Sequence, residues 1–114
     1  MAQFQKTIYA PVNQVAAYIK TTMPSSSISC SHEASGTMEV DSITCYVLVF
    51  ERYSWTGKNR VSLNVTLVGN DEVTKIFAVS AGGSQATFLK INTIGEESFL
   101  DSFIHLLNKY GKER

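Results

Sequence analysis

The residues best suited to chemistry crowd around one short stretch: Arg52, Tyr53, Trp55, Lys58 and Arg60, the candidate ligand or partner surface of this chain. Guanidinium and aromatic faces can stack on bases or clamp a phosphate. The same residues also have a plain reading, in which Thr56-Gly57-Lys58-Asn59 is a solvated turn, Tyr53 and Trp55 pack over its base, and the cations pair with nearby acids such as Glu51. Charge weighs toward the plain reading. Nucleic-acid surfaces carry a basic excess, whereas ten Lys and Arg here meet ten Asp and Glu in 114 residues. The sequence therefore points away from a nucleic-acid partner.

Other reactive residue types are scattered. Ala81-Gly82-Gly83-Ser84-Gln85 could present backbone amides to an anion, or be a hairpin in which glycine supplies a positive φ. A phosphate loop would also need a following helix and a lysine, and the run after Gln85 reads as a strand. His32 beside Glu33, with Cys30 and Cys45, could suggest a thiolate–imidazole pair. Nothing supplies its orienting third group or an oxyanion hole, and cysteine spacing of the C-x-x-C kind is absent. No catalytic residue, no metal ligand and no cofactor is expected. Both cysteines read as buried free thiols rather than a disulfide. His105, among Asp101, Ser102, Asn108 and Lys109, falls on a polar helical face. Glu96, Glu97 and Asp101 read as carboxylates favoured by the start of a helix rather than as an acid–base pair.

Those residues must be positioned by elements that hydrophobic periodicity outlines. Gln3 to Tyr9 reads as a strand and Pro11 as the first turn of a helix, whose stripe Val15, Ala16, Ile19 and Met23 stops before Pro24. After Ser25-Ser26-Ser27, Ile28 to His32 and Met38 to Val40 read as two short strands. Ile43 to Tyr53 is apolar on both sides, with Cys45, Val47 and Val49 on one and Tyr46, Leu48 and Phe50 on the other, so it needs cover on both faces. Val61, Leu63, Val65 and Leu67 alternate with Ser62, Asn64 and Thr66, the period of a strand buried on one face.

Two more strands, Val73 to Ser80 and Gln85 to Asn92, follow turn residues. A closing helix opens at Thr93 or Gly95, carries the stripe Phe99, Leu100, Phe103, Ile104, Leu106, Leu107 and Tyr110, and stops at Gly111. The expected fold class is α+β in one domain over 1–114. Its antiparallel sheet has about six to seven strands, with a short N-terminal helix and the long C-terminal helix on one face.

Composition adds bounds. An apolar share of 44% in 114 residues suffices for one buried core. The N-terminus lacks a signal-peptide layout and no apolar run approaches a bilayer span, so a cytoplasmic protein with no membrane partner is expected.

The element order, and the run Phe4-Gln5-Lys6-Thr7-Ile8-Tyr9-Ala10-Pro11-Val12 leading on to Ile19, resemble the helix-grip superfamily of lipid-transfer and pollen-allergen domains. There a strand passes through an Ala-Pro-Val step into a helix, and a long C-terminal helix closes a ligand cavity over an antiparallel sheet. The chain is short for that superfamily, and the second of its two small helices is reduced to 21–27. The block Phe50 to Leu67, with Gly82-Gly83-Ser84-Gln85, also resembles a small uncharacterised bacterial domain family that implies no activity.

Two functions follow as expectations, neither of them enzymatic. A binding module would hold a small apolar molecule between sheet and closing helix, lined by Val61, Leu63, Val65, Phe99, Phe103 and Leu107. A self-associating interaction domain would instead form a homodimer through the second apolar face of strand 43–53.

Overall fold

The computed structural model describes residues 2–27, 29–54, 59–82 and 89–113. Five strands form one antiparallel sheet in the order β1-β5-β4-β3-β2, with β1 Ala2–Ile8, β2 Ser31–Val40, β3 Ile43–Ser54, β4 Asn59–Gly69 and β5 Thr74–Gly82. Helix α1, Val12–Thr22, lies between β1 and β2 in the chain, and α2, Leu89–Glu113, closes it. The α+β class, the antiparallel sheet and the two helices are as expected, but the strands number five rather than six or seven.

Both missing strands have physical reasons. The two short strands expected at 28–32 and 38–40 are parts of one, β2, which runs through Gly36 in register with β3 from Ser31↔Glu51 to Val40↔Ile43, apart from a bulge at His32/Ala34. The strand expected at 85–92 is overturned by α2, which already begins at Leu89; residues 83–88 lie outside the described residues. A further meander strand would need the second edge of β5, and β1 holds it. A short apolar run cannot distinguish strand from buried helix by period alone. The early start also moves Glu96, Glu97 and Asp101 out of the first turn, which has no acidic residue.

Local chemistry sets the connections. Asp41, at φ 54°, turns β2 into β3 across two residues, a left-handed conformation that Asp adopts more readily than most residues. Between β4 and β5 the Asn70 side chain accepts from the Glu72 and Val73 amides at 2.9 and 3.0 Å, the pattern of an Asx turn. The Asn70 carbonyl accepts from the first amide of α1, Val12, at 2.9 Å, so the turn also anchors the helix start. Gly69 is required there, since a Cβ would run into the Val73 carbonyl oxygen and come within 2.9 Å of Thr74 Cα.

Alternation then decides the layers. Leu48 and Phe50, Val61 to Leu67 at alternate positions, and Ile76 and Ala78 point to one face and are buried there. They pack beneath Val15, Ala16, Ile19 and Met23 of the N-terminal segment and Phe99, Phe103 and Leu107 of α2. Both helices lie on this face, α2 over β5, β1, β4 and β3, and α1 over β4 and β3. The other face carries Gln3, Gln5 and Thr7 on β1, and among the described residues no helix lies over it. Strand β2, at the sheet edge, is exposed at nine of its ten residues. Among the described residues no helix is long and apolar enough to cross a membrane.

Candidate functional site

Strand alternation divides the hairpin cluster between the two faces of the sheet. Tyr53 and Arg60 are cross-strand partners on the open face, where Arg60 Nε donates to Glu51 Oε1 at 2.8 Å with both side chains well exposed. That is the acid pairing expected of a solvated hairpin, and an exposed pair of this kind contributes little to stability. Arg52 points the other way, under α2. Trp55 and Lys58 lie outside the described residues.

Arg52 sits at the junction of sheet and helix. Its Nη1 donates to Ser102 Oγ at 3.2 Å and its Nη2 to Ser98 Oγ at 3.1 Å, and its Cζ stands 4.6 Å from the centre of the Phe99 ring, a cation–π distance. Among the described residues no carboxylate pairs with it. Burial lowers the pKa of the guanidinium, and the nearby Cys30 thiol offsets this only in part. Burial correspondingly raises the Cys30 thiol, with the Ser26 hydroxyl and the Arg52 charge opposing. Cys30 is buried and Cys45 half-buried, and both are free thiols.

Beside this junction a cleft of about 450 Å³ opens between α1, the 3-10 turn Pro24–Ser26 and α2, lined by Tyr18, Thr22, Ser25, Ser26, Ser102, His105, Leu106 and Lys109. Its walls are tied together. Tyr18 Oη donates to the Leu106 carbonyl at 2.9 Å, and the Tyr18 and Tyr110 rings meet at 4.7 Å. Thr22 and Ser25 each donate to a carbonyl one turn back, those of Tyr18 and Thr22. Sequence reasoning did not single out Ser98, Ser102 or Tyr18 as site residues; with His105 and Lys109 the two serines follow one another at steps of four, three and four, which marks a polar face of α2 but names no partner for it.

The remaining candidates resolve differently. His105 is exposed, as expected of the polar face. His32 is exposed, its ring nitrogen 3.1 Å from the Ala34 carbonyl and its ring 5.1 Å from that of Phe50. Among the described residues no group of three His, Cys, Asp or Glu side chains could hold a metal. The Gly82 amide donates to Oε2 of the buried Glu96 at 2.8 Å, and Gly83, Ser84 and Gln85 of the glycine-rich stretch lie outside the described residues.

Two regions could receive something from outside. The space beneath α2 is lined by Val61, Leu63, Val65, Phe99, Phe103 and Leu107, each at most 1% exposed and all part of one hydrophobic cluster. On the open face Met38 is 64% exposed, Val40 73%, Ile43 39%, Val68 41% and Phe77 37%.

No curated protein matches the chain. The model of a family of unknown function, DUF6054, matches residues 1–111, nearly the whole length. Its span takes in every strand of the sheet and both faces just described, so the chain belongs to this family of unknown function, DUF6054.

Proposed function

We propose that this domain is a non-catalytic interaction module that pairs with a second copy of itself through the open face of its sheet. The observation that carries the reading is the set of five large apolar side chains on that face, Met38, Val40, Ile43, Val68 and Phe77. Register makes them neighbours: Met38 lies opposite Cys45 and Cys45 opposite Val68, while Val47 leads through Thr66 to Phe77. A contiguous exposed apolar patch of this kind marks an interaction surface.

Charge favours a second copy as the occupant. Arg60 is already neutralised by Glu51 at one end of the face, and Lys75 beside Val68 is the other cation along β4 and β5 there. A nearly neutral apolar sheet suits another of its own kind, and a two-fold pairing of identical faces buries the patch twice in one closed contact. Two such sheets would stack about 10 Å apart as a sandwich.

The alternative, a small apolar molecule held between sheet and α2 as in the helix-grip resemblance, has less support. The six side chains that would line it have almost no surface that a water could reach, so a ligand there would have to displace the core. Sedimentation velocity tests the pairing. The expected result is a dimer at micromolar concentrations that Phe77→Lys or Val68→Lys converts to monomer; a strict monomer at high micromolar concentration overturns the reading. A thermal-shift screen with fatty acids and sterols checks the alternative.

A further inference from the structure

We propose that the cleft between the Pro24–Ser26 turn and α2 binds the oxyanion, phosphate or carboxylate, of a small soluble molecule, with Arg52 as its anchor. Arg52 is half-buried and is met by two seryl hydroxyls and an aromatic face, none of which carries negative charge. A charge withdrawn from water without a counter-charge is costly, and an anion from solution would offset that cost. Guanidinium is also the side chain whose planar fork best fits phosphate and carboxylate. Among the described residues its bonds, to Ser98 and Ser102, use two of its five N–H groups.

Ser102 connects the anchor to the cleft. Its hydroxyl accepts from Arg52, donates to the Ser98 carbonyl at 3.1 Å and also lines the cleft wall, so the guanidinium, which does not itself line the cleft, stands one hydrogen bond behind that wall and would reach an anion by taking it in place of Ser102. Across from it lies Ser26, next to the Cys30 thiol. Along α2, His105 and Lys109 follow Ser102 by three and seven residues, about 4.5 and 10.5 Å further along the axis at the helical rise, and both line the same cleft. Among the described residues no carboxylate lines it; Glu97 and Asp101 line a separate, more open surface that shares Ser102 and His105 with it. An anion at the Ser102 end, nearest Arg52, thus leaves room for the rest of a small molecule toward Tyr18, Leu106 and Lys109. The volume of about 450 Å³ lies in the range of small-molecule sites.

The test uses the full chain, titrated with inorganic phosphate, phenyl phosphate and benzoate at constant ionic strength set with chloride, and followed by amide chemical shifts. Saturable shifts centred on Ser26, Ser102 and His105 are expected from at least one of the three, and which probe binds more tightly identifies the anion. Arg52→Gln should weaken binding about tenfold or more, by loss of a charge-assisted hydrogen bond. Lys109→Gln, an exposed change that keeps the fold, should weaken phenyl phosphate about threefold. Shifts that do not saturate, that centre on Lys6 or Lys75, or that are unchanged in both variants overturn the proposal. Phe77→Lys should leave binding intact, which separates this site from the open face.

Discussion

Arg52 on β3 and Ser102 on α2, fifty residues apart in the chain, are joined by a 3.2 Å hydrogen bond that pins the closing helix to the sheet. Ser98 receives the other guanidinium nitrogen one turn earlier, so the helix is gripped at two points on one side. Replacing either serine by alanine should cost about 1 kcal/mol in urea denaturation, the usual net worth of such a bond. In a double-mutant cycle Arg52→Met and Ser102→Ala should be non-additive, because each removes the same contact. Additive losses would mean that the bond contributes nothing of its own.

Beneath that clamp, Phe103 and Leu107 are each fully buried against the alternating strand Val61–Leu67. Phe103→Ala or Leu107→Ala should cost about 3 to 5 kcal/mol, the lost transfer free energy plus a cavity. Ile104, on the same helix but only partly buried, should cost less when truncated. Denaturation curves for the three variants test the ordering, and an equal loss at Ile104 and Phe103 would contradict the placement of the core.

Much of this arrangement is legible in the residues, and the exceptions share a cause. The alternation of 61–67 and the stripe of 99–110 each have one buried face, so period alone identifies them. Residues 89–92, Leu-Lys-Ile-Asn, mix β-branched and helix-forming types without a clean period, and they read naturally as the end of the strand expected over 85–92. Their helical state is decided by tertiary context: α2 has a sheet to lie on, while β5 has no free edge. Likewise the hairpin cluster could be found by residue type, but its division between two faces follows from β3 facing its partners, which places Arg52 opposite Val61 and Tyr53 opposite Arg60. Two serines four apart on a helix are too ordinary a pattern to announce a partner for an arginine.

Glu96 is a buried carboxylate within α2 that accepts the last amide of β5, Gly82, at 2.8 Å. Glu96→Ala should cost about 1 to 3 kcal/mol, since it leaves a part-buried donor without its carboxyl acceptor. Glu96→Gln retains an acceptor oxygen and should cost less. Hydrogen exchange at the Gly82 amide should quicken in the alanine variant, and an unchanged rate would mean that another group satisfies it.

The two thiols provide a test of both faces at once. Cys30 is buried beneath the helices, and desolvation holds its pKa above the 9.0 ordinary for a thiol. The folded chain therefore keeps Cys30 protonated where the unfolded chain begins to lose its proton. Its contribution to stability is intact below pH 9 and declines as the pH rises from there through the raised folded value. Since the thiolate is the nucleophile, alkylation of Cys30 should be slow at neutral pH and accelerate only in alkali. Cys45 lies half-buried on the open face between Met38 and Val68, so it should be labelled first when the protein is dilute. If two open faces pair, Cys45 labelling should slow as concentration rises, and Phe77→Lys should abolish that protection while leaving Cys30 as slow as before. Labelling of Cys45 at the same rate across a dilution series of about a hundredfold, wide enough to carry a micromolar dimer well into its monomer, would show that this face stays open.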